Sequence, residues 1–134
     1  MDLGQVTMQY RQAEEAILFL SLSMKEIEAD GFSDDNEKLG GWLRTLAGLL
    51  DPRFADYLDS EFINQVPILL VSALAPRRLF DPGFAERLLD VAKALEAEHR
   101  LLSGGVETIK IVLDSAKDIK EDMYSVIIDK SRLA

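Results

Sequence analysis

The sequence predicts an all-α fold: a single domain spanning residues 1–134, built as a helical bundle of five or six helices with long N- and C-terminal helices. Three observations carry this. Apolar residues recur at alternating steps of 3 and 4 through a long segment near each end. Gly, Pro, Asp and Ser clusters cut the region between them into short helical stretches. No run keeps the two-residue alternation of a half-buried strand.

The first long segment runs from Gln5 to Ala29. Val6, Tyr10, Ala13, Ile17, Leu20, Met24 and Ile27 form one stripe, and Ala16, Leu18, Phe19 and Leu22 widen its apolar surface beyond a narrow seam. The stretch from Asp30 to Asn36 ends this helix, with Gly31 placed to take a positive φ. A second helix is expected from residues 34–36, carrying Leu39, Trp42, Leu43, Leu46, Leu49 and Leu50. Gly40 and Gly41 disfavour a helix interior, so they mark either a close backbone approach or a helix start near Gly41.

Asp51-Pro52 opens a short helix with Phe54, Tyr57 and Leu58. Ser60 is a candidate cap for a helix from Glu61 to Leu74 that Pro67 must bend or split, because Pro removes a hydrogen bond and clashes with the preceding turn. Residues 75–80 read as a connector. Asp81-Pro82 has the pattern of an N-cap followed by a first-turn Pro. Phe84, Leu88, Val91, Leu95, His99 and Leu102 then mark one helix face, with Ser103-Gly104-Gly105 as the stop. The last segment, from Val106 to about Lys130, has a β-rich start. Its stripe of Ile109, Val112, Ala116, Ile119, Met123 and Val126 decides for helix.

Composition narrows the function classes. The net charge is −9, and it is uneven: residues 1–67 hold 5 basic and 13 acidic side chains, residues 68–134 hold 10 and 11. Nucleic-acid binding draws its affinity from a basic surface, so no direct nucleic-acid ligand is expected, and an anionic membrane is disfavoured for the same reason. The longest apolar stretch, Phe62 to Pro76, contains Asn64, Gln65 and Pro67 and is too short for a membrane span. The absence of cysteine excludes disulfides, thiolate metal sites and Cys nucleophiles and fits a cytoplasmic protein.

The chemical motifs are sparse. Glu96-Ala97-Glu98-His99 contains Glu-x-x-His, a spacing that di-iron bundles use twice, but this chain has one histidine. A partly buried His hydrogen-bonded to a neighbour, or a residue at the bundle rim, is the favoured reading. The acids from Glu26 to Glu37 fit no calcium-loop register. They read as a solvated helix end, or as a docking patch for a basic partner. Arg77-Arg78 stands before the Asp81 helix and either receives a phosphate or pairs with the acidic N-terminal half of its own chain; the second is favoured. Trp42 reads as a core anchor, and Met8, Met24 and Met123 as gap-fillers. There is no nucleophile elbow, phosphate loop or dinucleotide fingerprint.

No catalytic, cofactor-binding or metal residues are therefore assigned. The expected function is a non-enzymatic protein–protein interaction or regulatory module that self-associates and binds another protein. Its homo-oligomer interface is expected on the terminal helices, where Leu18, Phe19, Leu22, Leu113 and Ile127 lie off the stripes. Two other classes compete: a small-molecule or metal-sensing bundle around Glu96, His99 and Trp42, and an acidic inhibitor of a nucleic-acid-binding protein.

Overall fold

The computed structural model describes residues 2–132 apart from 31–33, and the side chains of Asp30, Asp34 and Asp35 also lie outside the described set. The expected positive φ at Gly31 and part of the acidic patch fall on those residues. The chain is an all-α bundle of five α-helices: α1 (Leu3–Asp30), α2 (Asp34–Leu50), α3 (Ile68–Leu74), α4 (Phe84–Lys93) and α5 (Gly105–Arg132). Two 3-10 turns, Pro52–Tyr57 and Ala75–Leu79, link the middle helices, and a π-helical segment, Ala94–Glu98, extends α4.

α1 opens with a capping box. The Asp2 carboxylate accepts from the Gln5 N–H at 2.8 Å, and Gln5 Oε1 accepts from the Asp2 N–H at 3.0 Å. Its stripe then packs along α5. The contacts Tyr10–Tyr124 and Glu14–Lys120 run in opposite directions along the two helices, so the pair is antiparallel. Ala13, Ala16 and Leu20 from α1 and Ile109, Val112 and Ala116 from α5 are buried in one core cluster. The near-heptad stripes at the two ends of the sequence are thus complementary halves of one intramolecular seam.

α2 and α4 form the second layer, and α3 closes the gap beneath α5 with Leu70 and Leu74. One continuous core runs through all five helices. Gly40 and Gly41 lie inside α2 because neighbours press on them. A Cβ at Gly41 would stand 2.5 Å from Cε2 of Phe62, and one at Gly40 would stand 3.0 Å from the Ala92 carbonyl oxygen. The close-approach alternative is the one realised.

Pro67 splits its segment, as its chemistry requires. Residues 60–65 form turns, Pro67 takes an extended conformation (ψ 133°), and α3 begins after it. Three local expectations need correction. Ser60 caps no helix; the Asp59 carboxylate instead accepts from the Glu61 N–H at 2.9 Å. Asp81 does not cap α4 with its side chain, because Arg87 engages that carboxylate; Gly83 holds the N-cap position and the Phe84 N–H donates to the Asp81 carbonyl. The helix after Phe84 ends at His99 rather than at Ser103. The π-helical segment changes the phase of the helix, and His99 takes the left-handed conformation at φ 52°, so Leu102 lies beyond the chain reversal. No helix among the described residues is long and apolar enough to cross a membrane.

Candidate functional site

The densest polar constellation centres on Arg44. It projects from α2 between the 57–59 turn and the π-helical segment, whose Glu96 side chain packs against Gly40. Its Nε donates to both Glu96 oxygens at 3.1 and 3.3 Å, its Nη1 to the Tyr57 carbonyl at 2.7 Å, and its Nη2 to Asp59 at 3.1 Å. The hydrogen bond to Glu96 is the main cause that raises the Arg44 pKa above its ordinary value, with Asp59 adding to it. The Asp59 carboxyl is held below the ordinary carboxylate range, first by the Glu61 N–H and then by Arg44. Its own chain engages four of the five guanidinium N–H groups, so the cluster ties three segments together.

The Glu-x-x-His pair does not converge. Glu96 is engaged by Arg44, whereas His99 is exposed with Nδ1 3.8 Å from Glu37. No group of three or more His, Asp or Glu side chains placed to hold a metal occurs among the described residues. Trp42 is buried and meets Phe19 ring to ring at 6.1 Å, as a core anchor should.

Arginines gather at the corner before α4. Arg77 and Arg87 stack on the Phe84 ring at 5.3 and 5.8 Å. Arg87 makes a bidentate pair with Asp81, and Arg53 bridges Asp51 and Glu86 at 2.8 and 3.2 Å. Hydrogen bonds from Arg87 hold the Asp81 carboxyl below its ordinary range. Those from Arg53 do the same for Asp51, with the charge of Arg78 adding to the effect. No salt bridge among the described residues joins Arg77 or Arg78 to the acidic N-terminal half; Arg77 lies over the Phe84 ring instead. Beside this corner Leu79 is 86% exposed and Phe80 78% exposed. These two side chains carried no periodic signal in the sequence.

The second surface with unburied apolar residues is the outer face of α1. Leu18 is 60% exposed and Leu22 50% exposed, one turn apart, with Met8 also exposed. Of the off-stripe residues expected to face a partner, Phe19, Leu113 and Ile127 are instead partly buried within the chain. Open grooves also mark the surface, among them one of about 590 Å³ along Gly4, Met8, Arg11 and Glu15, one of about 400 Å³ between Arg87, Asp90, Ser103 and Glu107, and one of about 430 Å³ between Tyr10, Lys117, Lys120 and Tyr124. Compared with known proteins, the chain matches no family model, no curated protein and no solved structure.

Proposed function

We propose that the chain is a non-enzymatic helical interaction module that self-associates and binds a second protein. One observation carries the reading: large apolar side chains stand outside a core that is closed without them, at Leu79-Phe80 and at Leu18-Leu22. Contiguous exposed apolar groups rimmed by charge are the usual mark of a protein contact surface. At the 77–80 corner the rim is Arg77 and Arg78, which suits a partner with an apolar pocket edged by carboxylates. The two roles have separate places, α1 for the like chain and the corner for the other protein. The cysteine-free sequence supports a cytoplasmic setting.

The corner is tested by placing a photoreactive phenylalanine analogue at position 80 of the full chain in its native host. The expected result is a discrete adduct with a second polypeptide, absent when the analogue replaces exposed Glu98 and lost on adding Leu79→Ser. Equal labelling at positions 80 and 98 would contradict the role given to the corner.

A further inference from the structure

The outer face of α1 has a periodicity of its own. Gly4, Met8, Arg11, Glu15, Leu18, Leu22, Lys25 and Ala29 follow one another at steps of 4, 3, 4, 3, 4, 3 and 4, and every one of them is exposed. This is a second heptad seam on the side of the helix opposite the one that packs on α5. The seam has an apolar centre, Leu18 and Leu22, and opposite charges on its two flanks, Glu15 before and Lys25 after. No salt bridge among the described residues engages Arg11, Glu15 or Lys25.

We infer that two copies of the chain pair antiparallel along this face, about a two-fold axis level with residue 20 of α1. The inference rests on the self-association reading above and fixes its geometry. In an isologous contact residue i meets j and j meets i. An axis at residue 20 sets Leu18 against the partner's Leu22, Glu15 against the partner's Lys25, and Arg11 against the partner's Ala29, whose small side chain leaves room for the arginine stem. The two leucines meet each other, and Glu15 and Lys25 each meet their opposite.

Other arrangements lose this match. A parallel in-register pair stacks Arg11, Glu15 and Lys25 each on its own copy, which places like charges together at three layers. Sliding the antiparallel pair by one heptad sets Leu18 against the partner's Glu15, or Leu22 against the partner's Lys25. The sequence of the seam therefore selects one orientation and one register. A contact made of one helix face is smaller than the roughly 1,200 Å² of a stable complex, so the dimer is a weak, concentration-dependent one.

The absence of native cysteine makes the test direct. Leu18→Cys and Leu22→Cys are prepared separately, one with a mass tag, mixed in equal amounts and oxidised mildly. Helical circular dichroism of each variant is expected to match wild type, because both positions are exposed. In the proposed register positions 18 and 22 of opposite chains share a layer. Two copies of position 18 are offset by about 6 Å along the helix axis, beyond comfortable disulfide reach once the helix separation is added. The mixed disulfide is expected to exceed the two homodisulfides together by at least about threefold, against equality for random pairing. Sedimentation from roughly 5 to 500 µM should show wild type dimerising, Glu15→Lys weakening the dimer about tenfold, and Glu15→Lys with Lys25→Glu returning to within about threefold of wild type. Dominant homodisulfides, or a double variant no stronger than the single one, would overturn the antiparallel register while leaving self-association standing. A strict monomer over the whole range would overturn both.

Discussion

α2 and α1 contribute to the same core, yet they differ in what they leave over. α2 is enclosed almost all round. Leu39, Trp42, Leu43, Leu46 and Ala47 are buried, and glycines stand where Phe62 and Ala92 press closest. Two of its polar side chains are held within the chain: Thr45 Oγ1 donates to the Gly41 carbonyl at 2.8 Å and accepts from the Asp59 N–H at 3.3 Å, and Arg44 bonds Glu96, Asp59 and the Tyr57 carbonyl. α1 buries one stripe and presents a second to solvent. A helix that must satisfy neighbours on every side is fixed by them in sequence. A helix with one side open carries residues there that folding does not demand, and those residues point to association.

The comparison breaks most sharply at Trp42. Trp42→Ala should remove a filled centre of α2 and cost about 3–5 kcal/mol, seen as a large fall in the urea midpoint. A loss below about 1 kcal/mol would mean that α2 is not the enclosed helix described. Next in size is Arg44→Met, which keeps the apolar stem but leaves Glu96 and the Tyr57 carbonyl without their donor. The expected loss is about 2–3 kcal/mol, and Glu96→Gln added to it should recover part of that loss, because the stranded charge is then gone.

Acid sharpens the same contrast. The carboxyls of Asp51, Asp59 and Asp81 have folded-state pKa values below their ordinary value of 3.8. A depressed carboxyl pKa stabilises the fold fully above the ordinary value, and that contribution fades as pH falls through the folded one. Thermal stability should therefore be flat with respect to these three groups above about pH 5 and decline below it. Replacing all three by Asn should flatten the acid limb. An unchanged acid limb in that variant would show that other groups set the acid response.

Much of this was legible in the sequence because it rests on one-dimensional rules. The inner stripes of α1 and α5 showed as steps of 3 and 4, Pro67 announced its break, and Gly40-Gly41 signalled a close neighbour without naming Phe62. The misplaced features depend on partners distant in sequence. Asp81 has the pattern of a cap, but Arg87 takes its carboxylate. His99 sits on the apolar period until the π-helical turn shifts the phase, and then becomes the left-handed end of the helix. The outer seam of α1 escaped because half of its inner positions are Arg11, Glu15 and Lys25, so hydrophobic periodicity does not mark it. Phe19, expected at a subunit interface, turns inward to Trp42, whereas Leu18 and Leu22 stay outside.

If folding and association use different faces of α1, a paired measurement on Leu18→Ser with Leu22→Ser separates the two. Thermal unfolding at low micromolar concentration and sedimentation at high concentration are recorded on the same protein. The expected result is an unfolding free energy within about 0.5 kcal/mol per site of wild type, as for exposed positions, together with loss of the concentration-dependent rise in mass expected of wild type. A variant that still associates like wild type, or one that unfolds with a loss of about 2 kcal/mol or more, would contradict it.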